Sequence, residues 1–142
     1  MGFKIFIDTD VIIDFLIDRQ PHAEASSKIL NLSDKGIIQL YTSALCINNI
    51  HYVIKKVVGE KKARSIIHEL LALISVIEVD ETDLKNALDS SFSDFEDAIQ
   101  YSTAQKIKGL KAILTRNTKD YKKSKIAIFT PETLIKTIEI DL

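Results

Sequence analysis

The sequence predicts an α/β fold: a single three-layer α/β/α sandwich over residues 1–142, around a central, mainly parallel sheet of about five strands. Three observations lead there. Short runs at residues 4–7, 37–41, 75–79, 112–115 and 126–130 have strand length and are mostly apolar on both sides, as strands covered on two faces are. Stretches with helical spacing separate the first four of them. No linker, repeat or low-complexity segment interrupts the pattern.

The elements follow in order. Residues 4–7 form a short buried strand that ends at the polar Asp8-Thr9-Asp10. Residues 11–17 are apolar at helical spacing, and Pro21 marks the end of that helix. A second helix spans about 22–34, with Gly36 just past its C-terminus. After the strand at 37–41, Thr42-Ser43 can cap a helix that runs to residue 57 or 58, where Gly59 breaks it. A helix over 60–73 completes a hairpin expected to stand off the sheet. The strand at 75–79 precedes a short helix at 82–88 and a longer one at 93–108, closed by Gly109. The strands at 112–115 and 126–130 follow, and Pro131 fits the first turn of a terminal helix.

Composition bounds the function. A chain of 142 residues with 46% hydrophobic and 27% charged residues can bury a proper core as one domain. No apolar run approaches the roughly 20 residues that span a bilayer, and the N-terminus has no signal-like segment. The single cysteine, Cys46, excludes an internal disulfide and reads as core; a cytoplasmic protein away from membranes is expected. The net charge of −1 conceals a segregation. Residues 78–97 hold eight acids and one base, and residues 106–125 hold eight bases and one acid. Acids beside bases suit a metal-dependent enzyme acting on a polyanion, although the lysines equally fit a solvated face.

The acids fall where a parallel sheet would gather them, because the carboxyl ends of such strands meet in one crevice. Asp8 directly follows a buried strand; it either needs a cation or donors, or caps the next helix. Asp10, Asp14 and Asp18 recur at i, i+4, i+8 and read more simply as a solvated stripe. Ser93 with Glu96 has the form of a capping box. Asp94 and Asp97 share one face of that turn while Glu96 projects elsewhere, which favours Asp97 as a ligand with Asp94 or Glu96 in support. In the polar loop after the fourth strand, Thr115 can hydrogen-bond an acid and Asn117 can hold a turn through its side chain. Asp120 is a third acid group there or an ordinary loop aspartate. His22, His51 and His68 lack zinc-ligand spacing, so any metal is expected to be hard and oxygen-bound, Mg²⁺ or Mn²⁺. There is no Gly-rich phosphate loop, nucleophile elbow or dinucleotide fingerprint.

Three stretches together resemble the PIN-domain family over nearly the whole chain. Ile5 to Asp14 resembles its opening, commonly Asp-Thr-Asn-Val; Asp94-Phe95-Glu96-Asp97-Ala98 resembles its third acidic motif; Thr115 to Tyr121 resembles its fourth. The resemblance implies a Mg²⁺- or Mn²⁺-dependent ribonuclease, similar to VapC toxins, with an antitoxin partner and a homodimeric state. It implies that Asp8, Asp97 and Asp120 are metal-binding catalytic acids, with Asp94 and Glu96 alongside. Thr115, Asn117 and Ser43 would be supporting polar groups, and Arg116 and Lys119 would hold the RNA backbone. Two positions depart from the pattern. Asn49 stands where the family's second acid, a glutamate, is expected, and Asp10 replaces the common asparagine. Asp94 or Glu96 could restore the missing charge.

Two alternatives stay open. Asp8-Thr9-Asp10-Val11 also fits the opening of haloacid-dehalogenase-like phosphatases, with Asp8 as nucleophile and Asp10 as acid/base, but the late acidic motif of that family is missing. Asn49 equally motivates a catalytically weak or inactive PIN-fold module that binds RNA or a partner.

Overall fold

The computed structural model describes residues 2–141. Its sheet has five strands, β1 (Phe3–Ile7), β2 (Ile38–Ser43), β3 (Ile74–Ile77), β4 (Leu110–Leu114) and β5 (Ala127–Phe129), in the order β3-β2-β1-β4-β5. Every pairing is parallel. The chain builds outward from β1 to β3, then crosses back to lay β4 and β5 on the other side. The direction therefore reverses between β1 and β4, and their carboxyl ends flank the crevice where such sheets place ligands.

Alternation along the two central strands shows why they are apolar throughout. Ile5, Ile7, Ala112 and Leu114 face one side, where α1 (Thr9–Leu16), α2 (Ala23–Asp34) and α7 (Pro131–Asp141) cover them. Phe6 and Ile113 face the other, packed with Ala104 of α6 (Phe95–Gln105) and Ile107 just beyond it. Helix α5 (Glu81–Asp89) packs on α6. Ile5, Phe6 and Ile7 are at most 1% exposed, and burying each side chain stabilises the fold by about 1.5–3 kcal/mol.

Helices α3 (Ala44–Val58) and α4 (Glu60–Leu70) form the expected hairpin, joined by Gly59 at φ 87°, a conformation side-chain-bearing residues rarely adopt. Its base does not stand off the sheet: Ile50 and Ile54 of α3 are fully buried in the larger core. Helix α4 stops at Leu70, short of 73, because the chain must turn before β3 begins at Ile74. Among the described residues, no helix is long and apolar enough to cross a membrane.

Candidate metal centre

Asp8 emerges at the end of β1, and its backbone N–H donates to the Leu114 carbonyl of β4 (2.9 Å). It is also the N-cap of α1, accepting from the Thr9 N–H at Oδ1 (2.8 Å). The cap and the site are thus the same residue. Oδ2 accepts from the Thr115 hydroxyl (2.9 Å) and the Tyr121 hydroxyl (3.3 Å). Only neutral donors touch this carboxylate. Burial pushes its pKa up against those hydrogen bonds, and the Glu96 charge adds to the rise.

Helix α6 brings the second group. Its cap is Asp94, accepting from the Asp97 N–H (2.9 Å); the Ser93–Glu96 box does not form, because Asp94 lies one residue closer to the helix start. A capping box does form elsewhere, between Asp80 and Asp83. Asp97 is pushed up to about 7 by burial, then by the charges of Asp8, Asp94 and Asp120. Those causes place Asp97 within electrostatic reach of both Asp8 and Asp120, which come from two other parts of the chain. Glu96 turns toward α3 and accepts from Asn49 Nδ2 at 2.7 Å.

The loop after β4 supplies the remainder. The Thr115 N–H donates to the Phe129 carbonyl of β5, and its hydroxyl oxygen accepts from the Asn117 N–H (3.0 Å). Asn117 holds the turn through its backbone carbonyl, which accepts from the Asp120 N–H (3.0 Å), and makes no side-chain cap; the side-chain role expected of it is not seen. The 3-10 turn Thr118–Tyr121 points Tyr121 inward, where it is 1% exposed; its pKa is raised by burial and then by the Asp8 charge. Lys119 is exposed on the same turn. Ser43 lies deeper, as the N-cap of α3, with its hydroxyl on the buried Gln100 of α6.

The expected solvated stripe is largely absent. Only Asp18 is exposed. Asp14 is fully buried and holds two guanidinium groups, Arg19 (Nε, 2.8 Å) and Arg116 (Nε, 2.6 Å). Arg116 is therefore engaged inside the protein, where it anchors the loop after β4. Both Asp10 carboxylate oxygens are buried with no partner meeting hydrogen-bond geometry. Burial, then the Asp8 charge, push Asp10 up to about 6. The sequence reading missed Tyr121 and the buried position of Asp10. The position of Tyr121 directly after Asp120 in the fourth motif was the available signal for the first.

None of Asp8, Asp10, Asp94, Glu96, Asp97 or Asp120 takes part in an ion pair among the described residues. No three acidic, histidine or cysteine side chains there lie close enough to ligate one ion as they stand. The donor set still fits a hard divalent cation: carboxylate oxygens, unpartnered or touched by neutral donors, raised by burial and mutual repulsion. A cation reverses that penalty by favouring the ionised forms.

A family model describing the PIN domain matches residues 4–119. Ribonuclease VapC1 of Aquifex aeolicus (strain VF5) is 31% identical over 134 residues, 91% of this chain and 91% of the relative. Among solved structures, FitAcB from Neisseria gonorrhoeae superposes with a TM-score of 0.67 at 21% identity, over 90% of this chain and 98% of that one. A toxin-antitoxin complex from Klebsiella pneumoniae gives 0.66 at 22% identity, over 89% and 97%. The two structures speak to the fold alone.

Proposed function

On the premise that this chain belongs to the PIN-domain family, we propose that it is a divalent-metal-dependent ribonuclease and the toxin of a VapBC-type pair. The feature that supports this reading is that Asp97 lies in the electrostatic field of Asp8 and of Asp120 while none of the three is paired with a cationic side chain among the described residues. These three carboxylates would hold Mg²⁺ or Mn²⁺, with Asp94 and Glu96 at their side. Such an ion supplies Lewis-acid polarisation of the scissile phosphate and activation of the attacking water.

The remaining work falls to the chain's own residues. The Thr115 and Tyr121 hydroxyls fix the Asp8 carboxylate against rotation. Arg116, clamped by Asp14, keeps the loop that carries both of them in register with α1. The exposed Lys119, Lys122, Lys123 and Lys125 flank the acids on that loop and would hold RNA phosphates without reading sequence. Lys108 precedes β4 and Lys111 lies near its start, so the basic stretch is divided between the two ends of that strand. Exposed apolar residues such as Val57, Leu71 and Val76 offer surface for the expected antitoxin and a homodimeric partner. Residues 1–142 would act as one PIN-like domain in the cytoplasm.

The phosphatase reading loses its support, since it gives the acids of α6 no role while Asp97 lies in the electrostatic field of Asp8. The non-catalytic binding module is the second reading, motivated by Asn49. Incubating varied structured RNAs with wild type and Asp97→Asn, in Mg²⁺ or Mn²⁺, separates the two. Metal-dependent cleavage by wild type alone is expected. No cleavage above the variant would favour the binding module.

A further inference from the structure

The tip of the α3–α4 hairpin is a second basic surface, on a different element from the loop after β4. Residues 51–64 hold five lysine or arginine side chains, Lys55, Lys56, Lys61, Lys62 and Arg64, against one acid, Glu60. That acid is already engaged: it accepts from Arg64 Nε at 2.7 Å and lies 2.7 Å from His51 Nε2. Lys55, Lys56, Lys61 and Lys62 are exposed and form no ion pair among the described residues. On α2 and α5, by contrast, Lys28 and Lys85 each face a glutamate one turn back, at 3.9 and 3.8 Å. Helix stability accounts for only half of the tip cluster. Lys55 and Lys56 occupy the last turn of α3, where the helix dipole favours a cation. Lys61 and Lys62 occupy the first turn of α4, where the dipole disfavours one. The bend at Gly59 keeps all four residues within about one helical turn of it, so their charges repel one another.

We propose that the hairpin tip docks a second segment of the RNA, at a distance from the acids. A phosphate chain relieves the repulsion among the four ammonium groups and the unfavourable placement of Lys61 and Lys62 together. Because the whole chain carries a net charge of only −1, this attraction is local to the tip. Tyr52 favours RNA over an acidic peptide as the occupant. Its ring is 55% exposed, with Lys56 Nζ 4.0 Å from the centroid, and an exposed aromatic beside lysines offers a surface on which an unpaired base stacks. The fold sets the spacing between the two surfaces. The Thr42 hydroxyl donates to the Ile7 carbonyl (2.9 Å), so the end of β2 lies beside the end of β1, where Asp8 emerges. Ser43 then caps α3, and from Ala44 to Lys56 that helix rises about 18 Å. An RNA that reaches from the acids to the tip is held at two places, by backbone contacts that position it without reading its sequence.

The inference takes its ligand from the ribonuclease reading, and the experiment separates the two because it needs no cleavage. Binding of a fluorescent, structured RNA is followed by anisotropy in EDTA over a series of salt concentrations. Wild type is compared with Lys61→Ala/Lys62→Ala and with a control that removes ion-paired lysines, Lys28→Ala/Lys85→Ala. Thermal melts establish that each is folded, and Lys61→Gln/Lys62→Gln replaces the alanine pair should that unfold. The Lys61/Lys62 variant is expected to bind RNA ~10-fold more weakly at low salt, and its slope of log affinity against log salt to fall by about 1.4–1.8. The control is expected to keep the wild-type affinity and slope. A Lys61/Lys62 variant that binds as wild type does, or a control that loses as much, would overturn the docking surface. Unchanged RNA binding together with lost binding of polyglutamate would overturn it in favour of an acidic protein partner. The expected losses in a protein that cuts no RNA with Mn²⁺ would instead sink the nuclease reading and leave the docking surface standing.

Discussion

Asp8 and Asp14 are buried aspartates at the two ends of one short helix, and the protein treats them in opposite ways. Asp14 receives two guanidinium groups, one local from Arg19 and one from Arg116 in the loop after β4. Asp8 receives a backbone N–H and two hydroxyls, and the Glu96 charge that bears on it is another acid. The same contrast recurs on the next layer: Asp83 is bound by Lys106 at 2.6 Å, whereas the charges that bear on Asp97 are those of Asp8, Asp94 and Asp120. Where a buried carboxylate serves the fold, this chain provides its own cation. Where acids from β1, α6 and the loop after β4 gather, it provides none. On the proposed reading, an external cation is the missing counter-charge.

The sharpest way to break that distinction is to neutralise one member of each class. Asp97→Asn should cut RNA cleavage by at least ~100-fold, measured under single-turnover conditions, because a residue expected to hold the ion should cost no less than one that merely orients such a residue. Its melting temperature without metal should rise, since a repulsion has been removed. Asp14→Asn should do the reverse, losing about 3 kcal/mol in chemical denaturation, because two guanidinium groups lose their shared partner. Its remaining folded fraction should still bind Mn²⁺.

Asp83 tests the structural class through pH. Burial pushes its pKa up, but the Lys106 ammonium, the Asp80 N–H and the Ser102 hydroxyl outweigh burial and hold it below its ordinary 3.8. A lowered folded-state pKa gives stability that is full above 3.8 and is lost as pH falls through the folded value beneath it. Asp83→Asn should therefore flatten the acid limb of the stability–pH profile and cost about 1–2 kcal/mol at neutral pH. The smallest effect belongs to the bases left free. Lys122→Ala with Lys123→Ala should weaken RNA binding severalfold and reduce the slope of log affinity against log salt by about 1.4–1.8.

Much of this was legible along the chain, and the failures share a cause. Sheet class, the Ser43 cap, Gly59 and the acidic start of α6 follow from local pattern, because strand burial and capping depend on near neighbours. The buried role of Asp14 was not legible. Spaced with Asp10 and Asp18 it looks like a wet face, and its stronger partner, Arg116, lies 102 residues away. Asp94 won the cap over Ser93 because both can serve and only the helix start decides between them. The Asn49–Glu96 pair joins residues 47 apart, and helical periodicity alone sends Glu96 to another side of α6.

The most direct test is a thermal melt in EDTA and in Mn²⁺ at about 100 times its dissociation constant, where binding to the folded state adds about 2.7 kcal/mol. Wild type should gain that increment, Asp14→Asn should start lower and gain it too, and Asp97→Asn should start higher and gain little or none. Equal gains in wild type and Asp97→Asn, or none in wild type, would contradict the assignment of these acids to a metal centre.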